Sequence, residues 1–275
     1  MRQVLLHAHI FKNAGTTLDW SLRRSFGSDF LSSPDEERMR SRGRACLADL
    51  LTKQPGLKAL SSHHMPCVAP DAGAGISYHR LHLLRHPFSR ALSVYSFERR
   101  QNAQTPGAMA AKQLELPEYL HWRMEPDVPG VLRNYQTAYI MGCHRPVVDS
   151  QEMAALFPGA LEQLSRLRLV GLVERFDESM VLFETLLRPI FPALDLAYQP
   201  QNQSPVMPIT ACASQPAVTL ETMGDAATSV VENNAYDLAL YRLAENKFHR
   251  AITAIAGFEE KLRDFKDRCT VLHAP

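Results

Sequence analysis

Apolar runs of strand length alternate with stretches of helical period along this chain. Four runs read as buried core strands, at about residues 3–10, 57–62, 79–85 and 167–173. The polar stretch from Ser32 to Lys53 takes helical composition after Pro34, and residues 131–142, 151–166 and the segment from Glu174 to about 188 also read as helices. From about 228 to 266 apolar residues recur at helical spacing (Tyr236, Leu240, Leu243, Phe248, Ile252), predicting one or two closing helices. The segment Gln101 to Gly130, rich in Pro, Ala and Gln, predicts a mobile loop at its start. Gln199 to Thr219 holds four prolines and predicts a long irregular loop. Strands separated by helical crossovers predict an α/β fold: a parallel sheet with helices on both faces, built as a single domain over 1–275.

The ends of these strands carry the candidate chemistry. The first run leads into Lys12-Asn13-Ala14-Gly15-Thr16-Thr17 and then a helical pattern. A strand, a tight loop and a helix start form a phosphate cradle, because the first backbone N–H groups of a helix lack partners and the helix dipole is positive there. Gly15 allows a close backbone approach, Thr16 and Thr17 add hydroxyls, and Lys12 adds a full charge. The loop is not a Walker A motif, because its lysine precedes its only glycine. The plainer alternative is an ordinary strand-to-helix turn with a threonine cap.

The third run ends at Arg85, followed by Pro87 at a position suited to the first turn of a helix. Ser89 and Ser93 share a face of that helix. Arg85 can fork onto a phosphate while Ser93 donates a hydroxyl. The alternative makes Arg85 a surface residue lying along the sheet edge. The second run ends in Ser61-Ser62-His63-His64. Histidine suits a general base because its ordinary pKa lies near neutrality, and adjacent residues of an extended segment point to opposite faces, so one of the pair should face a site.

Together these segments resemble the two cofactor signatures of sulfotransferases that use 3′-phosphoadenosine 5′-phosphosulfate (PAPS). HIFKNAGTTL is similar to the loop for the 5′-phosphosulfate, and LLRHPFSRALSVY to the segment for the 3′-phosphate. The resemblance is closer to the carbohydrate-type subfamily that includes heparan sulfate 2-O-sulfotransferase and bacterial relatives, whose loop often reads His-x-Pro-Lys-x-Gly/Ala-Gly-Thr-Thr; here Phe11 stands in place of the proline. Further echoes follow in order: NYQTAYIMG from Asn134, VGLVERFDESM from Val170 and NNAYDLALYRLAENKF from Asn233. The resemblance implies the P-loop-like sulfotransferase fold and transfer of a sulfuryl group to an acceptor hydroxyl, in the family's pattern that of a carbohydrate. It implies that Lys12, Asn13, Ala14, Gly15, Thr16, Thr17, Arg85 and Ser93 hold the donor. It also implies that His64, aligned with a Gly-His-x-Pro run, is the base, with Lys12 assisting the departing phosphate. His9, His63, Arg99 and Arg100 are the candidates for touching the acceptor. Two rival functions remain, an ATP-dependent small-molecule kinase and a non-catalytic nucleotide-binding module.

Composition narrows the setting. Hydrophobic residues make up 45% and charged residues 21% of 275, with a net charge of +1, so no global attraction to nucleic acid or anionic membrane is expected. Arg23 and Arg24, like Arg99 and Arg100, read as solvated helix ends or as a groove for an acidic sugar chain. Five scattered cysteines argue against a disulfide framework. No run of 18 apolar residues, signal peptide, paired Cys-x-x-Cys or His-Glu-x-x-His is visible, so a cytoplasmic enzyme without a membrane span or metal is expected.

Overall fold

A computed structural model describes residues 1–70, 75–144, 149–201 and 216–273. Five strands, β1 (Arg2–Ala8), β2 (Phe30–Ser32), β3 (Ala59–Ser62), β4 (Ile76–Leu84) and β5 (Leu169–Leu172), form one sheet in the order β2-β3-β1-β4-β5. Every pairing is parallel, with Leu5 opposite Ala59 on one side and His79 on the other. The sheet is flanked by helices, as parallel strands require for their crossovers. β1 is central and carries the most continuous apolar run: Val4, Leu5 and Leu6 are buried on both faces.

The four expected strands are present, each within a few residues of its expected limits. The fifth, β2, escapes a hydrophobic-run reading because it is three residues long and alternates buried Phe30 with half-buried Leu31 and Ser32. It sits at the sheet edge, where short strands limit unwanted pairing. After β1 come helices α1 (Gly15–Phe26) and, beyond β2, α2 (Glu36–Lys53), which is kinked at Gly43. After β4 come α3 (Pro87–Arg100), α4 (Pro106–Gln113), α5 (Leu116–Met124), α6 (Tyr135–Ile140) and α7 (Ser150–Arg166). α8 (Phe176–Leu187) follows β5; α9 (Pro216–Met223), α10 (Ala227–Glu232), α11 (Ala235–Thr253) and α12 (Phe258–His273) complete the described chain.

The Pro- and Ala-rich segment is irregular over 101–105, where a loop is expected, and beyond it is mostly helical: Thr105 caps α4, with Pro106 in its first turn, and a Glu115–Glu118 capping box starts α5. Tyr119 and Leu120 bury that segment in a second apolar cluster with Phe88, Val94 and Val230. The helix expected over 131–142 shrinks to α6, because Asn134 takes a left-handed conformation, φ 43°, and ends the irregular stretch before it. The loop expected from Gln199 lies mainly outside the described residues, as does Cys212. Cys46, Cys67, Cys143 and Cys269 are unbridged. Among the described residues no helix is long and apolar enough to cross a membrane.

Candidate functional site

The strand order reverses around β1. The chain leaves β1 toward β2 and β3 on one side, then crosses to β4 and β5 on the other. Ligands of open parallel sheets bind outside the carboxyl ends of strands at such a switch point. The ends of β3, β1 and β4 lie side by side there, and they carry His63 and His64, the Lys12 loop, and Arg85.

The loop after β1 is tightly wound. Lys12 and Ala14 adopt left-handed backbone angles, φ 64° and 59°, and the Asn13 N–H donates to the Ile10 carbonyl at 3.1 Å. Sparsely populated angles outside glycine are strained and concentrate at ligand-holding segments. α1 starts with no side-chain cap and no acidic residue in its first turn, so its positive end is left uncompensated.

Cations gather beside it. The Arg85 guanidinium donates through Nη1 to the Lys12 carbonyl at 3.0 Å, so the two segments converge. Arg90, fully buried, donates from Nε to the Phe11 carbonyl at 3.1 Å and lies 4.2 Å over the Tyr135 ring. Lys12 Nζ sits 4.3 Å from the centre of the Phe97 ring. Burial, followed by repulsion from Arg85, Arg100 and Arg90, lowers the Lys12 pKa to about 8. Burial likewise lowers Arg90 to about 10. Lys12, Arg85 and Arg90 form no ion pair among the described residues, and Arg85 Nε is buried with no hydrogen-bond partner. Buried cations without a counter-charge are costly, and an anion between them is the arrangement that relieves the cost.

Residues far along the chain hold the two loops together. The Gln136 amide accepts from Asn13 Nδ2 at 2.7 Å and from the Arg85 N–H at 2.9 Å, and donates to the Arg85 carbonyl at 2.8 Å. Asn13 Nδ2 also reaches the Leu83 carbonyl at 2.8 Å. α6 is in turn capped by Asp237 of α11, which accepts from the Gln136 and Thr137 N–H groups at 3.0 and 2.7 Å. Glu174 accepts from the His86 N–H at 2.9 Å and from the Tyr241 hydroxyl at 2.8 Å. The three downstream sequence echoes therefore act as a frame for the loops.

The histidines divide into two groups. His7 and His9 of β1 and the following loop both face Asp19 of α1, Nδ1 to carboxylate oxygen, at 2.7 and 3.0 Å. The Ser32 hydroxyl donates to the same carboxylate at 2.9 Å. Burial opposes ionisation of Asp19, but the charge and hydrogen bonds of His7 and His9 outweigh it and hold its pKa far below the usual carboxylate range. These three residues place metal-type ligand atoms within 4.8 Å of one another, a grouping the sequence reading did not find. His64 turns the other way. It meets His144 edge-on at 5.0 Å and lines a cavity of about 240 Å³ with Arg40, Arg133, Tyr135 and Tyr139. Burial lowers the pKa of His64, and that of His144 to about 4. His63 packs on His9, ring centres 4.1 Å apart, donates its N–H to Glu36 at 3.0 Å, and has its pKa lowered mainly by burial. The adjacent pair lies in a turn just past β3 rather than in an extended segment, and it still parts to different neighbours.

The remaining sequence candidates fall as follows. Gly15 is buried, and a Cβ there would come within 2.2 Å of the His9 ring, so its first duty is to admit that ring rather than an anion. Thr16 is exposed, while Thr17 is buried with its Oγ1 accepting from the Gln201 N–H at 3.2 Å. Ser93 is half-buried, two turns into α3, and Ser89 is buried. Arg99 is committed to Tyr95, the Leu114 carbonyl and Glu115, holding α4 and α5, whereas Arg100 contributes to the field at Lys12. Arg23 lies over the Phe30 ring at 5.3 Å, away from both loops.

No family model matches the chain. Over 218 residues it is 28% identical to an uncharacterized protein of Archaeoglobus fulgidus, a match that spans 76% of this chain and 83% of the archaeal protein.

Proposed function

We propose that this protein is a PAPS-dependent sulfotransferase with a P-loop-like sulfotransferase fold. Its donor would lie across the ends of β1 and β4, and its acceptor would be a hydroxyl compound, a carbohydrate on the resemblance in sequence. One observation carries the reading: Arg85 and Lys12, from segments 73 residues apart, meet in a half-buried cluster of cations, and neither makes an ion pair among the described residues. The donor supplies an activated sulfuryl group bonded to phosphate. Lys12 and the free N–H groups at the start of α1 stabilise charge on the phosphate oxygen, where one preorganised donor is typically worth about 2.7–4 kcal/mol of barrier. Arg85, with Ser93 on α3, anchors the 3′-phosphate and so orients the reacting group. The cavity beside His64 receives the acceptor; its Tyr135 wall is also the ring beneath Arg90.

Calorimetric titration with 3′,5′-ADP, 5′-AMP and ATP tests this. The 3′-phosphate should raise affinity about ten- to hundredfold, in keeping with the 1.5–3 kcal/mol of a charge-assisted hydrogen bond, and Arg85→Ala should erase that preference. Binding of ATP with Mg²⁺ that ignores the ribose 3′-phosphate would instead support a kinase. Tight 3′,5′-ADP binding without transfer of label from ³⁵S-PAPS to any glycan of a panel would support a binding module.

A further inference from the structure

We propose that Arg90 couples the two halves of the site: once the donor is bound it locks the wall of the acceptor cavity, so that the cavity is completed only with the donor in place; the inference rests on the sulfuryl-transfer reading. Arg90 is the largest fully buried side chain among the described residues, and it touches both halves. Toward the donor, its Nε donates to the Phe11 carbonyl at 3.1 Å. Arg85 donates to the next carbonyl, that of Lys12, at 3.0 Å. The two arginines therefore hold consecutive peptide units, one on each side of the left-handed Lys12, φ 64°. Toward the acceptor, Arg90 Nη2 donates to the Val131 carbonyl at 2.8 Å, and the guanidinium lies 4.2 Å from the centre of the Tyr135 ring. Val131 and Tyr135 both line the cavity beside His64.

That wall takes its order from what it is tied to. Residues 129–134 form neither helix nor strand, and Pro129, Gly130, Val131 and Arg133 among them line the cavity. Arg133 ties the segment to the Met124 and Val128 carbonyls behind it, and Arg90 ties it to the donor loop. An arginine suits this place. Its planar fork donates in two directions while its face lies on a ring, whereas a lysine carries the same charge at one point and cannot make all three contacts.

The charge makes the link respond to the donor. Burial lowers the Arg90 pKa only to about 10, so the group is charged at neutral pH, and it is crowded by Arg85 and Lys12. The Asp237 carboxylate favours that charge from the cap of α6, but it is already engaged by the Gln136 and Thr137 N–H groups. A phosphate held by Lys12 and Arg85 offsets the mutual repulsion and draws the guanidinium toward the loop. Its charged hydrogen bonds then tighten, and Val131 and Tyr135 are held with them. Arg90 acts through these neighbours and is a positioning residue. Gln136 also joins α6 to both donor loops, so the test separates the two routes.

Hydrogen–deuterium exchange with peptide mass mapping, on the full chain with and without saturating 3′,5′-ADP, reads both halves at once. In the wild type the nucleotide should slow exchange over residues 11–17 and, by about fivefold or more, over 130–134, the low end of coupling between sites. In Arg90→Lys it should still protect 11–17, while the response of 130–134 falls below about twofold. A merely structural role would raise exchange equally with and without nucleotide and leave that ratio intact. If Arg90→Lys does not fold, Tyr135→Leu decides, since it removes the ring beneath the guanidinium and leaves both carbonyl bonds. Its response over 130–134 should fall to less than about half that of the wild type, and an undiminished response overturns the proposal. Full protection of 130–134 in Arg90→Lys assigns the coupling to Gln136 and also overturns it. So does a wild type in which 11–17 is protected and 130–134 is unmoved, a result that leaves the sulfotransferase reading standing. If the wild type shows no preference for the 3′-phosphate in the titration, that reading fails and the coupling falls with it.

Discussion

The molecule holds two histidine pairs near the ends of its central strands, one buried and one half-buried, and they are built on opposite principles. His7 and His9 share the carboxylate of Asp19 and have their Nδ1 atoms satisfied. His64 and His144 pack edge to face, and each has a buried ring nitrogen without a partner among the described residues. Both pairs are drawn at least partly into the interior, so burial alone does not distinguish them. The carboxylate makes the difference: it gives the first pair a charged hydrogen-bond partner inside the fold, while the second pair has none and lines a cavity.

The largest expected effect comes from removing the carboxylate. Asp19→Leu strands two imidazoles and a hydroxyl in the interior and should cost about 3–5 kcal/mol in denaturant unfolding, as for a buried pair that loses one member. His144→Leu deletes an unsatisfied nitrogen and should lie near neutral, within about 1 kcal/mol. Equal losses from the two variants would erase the distinction between the pairs.

Acid sensitivity comes next. His144 has a folded pKa of about 4 against an ordinary 6.5. A base with a depressed folded pKa gives its full stability above the unfolded value, and that stability is lost as pH falls toward the folded one. Between pH 6.5 and 4 the unfolded chain binds the extra proton, so stability should decline by up to about 3 kcal/mol from this residue. His144→Leu should flatten that decline in urea midpoints measured from pH 7 to 4. Asp19, an acid whose pKa is also lowered, keeps its contribution over this range, because a depressed carboxylate gives its stability above the unfolded value. A decline unchanged in His144→Leu would mean that the acid-labile group lies elsewhere.

The smallest expected effect sharpens the cation cluster beside the first pair. Lys12 is charged below about pH 8 and neutral above it in the free protein. Affinity for 3′,5′-ADP should therefore fall as pH rises through 8, by roughly tenfold, the low end for a charged hydrogen bond. Lys12→Met should bind at that weaker level at pH 7 and lose the pH step. An unaltered pH dependence in this variant would remove Lys12 from the anion site.

Local signals made much of this legible. The apolar run of β1, the glycine and threonines after it, Pro87 in the first turn of α3 and Arg85 at the end of β4 are each read from a few neighbouring residues. Other features resisted reading because their signal is not local. β2 is shorter than any hydrophobic period, and the Pro-rich stretch over α4 and α5 is helical because its caps and its buried face agree. Gln136 looked like one letter of a motif; that it joins Asn13, 123 residues away, to Arg85 depends on where α6 packs.

The sequence by itself determined the strands, the anion-seeking loops and the identity of the histidines, since these depend on backbone propensity and side-chain chemistry within a few residues. Tertiary structure alone decided which histidine has a carboxylate, because Asp19 reaches His7 and His9 only when α1 folds back along β1. It also decided that Lys12 and Arg85 meet, because two strands distant in the chain lie side by side in one sheet and bring their ends together.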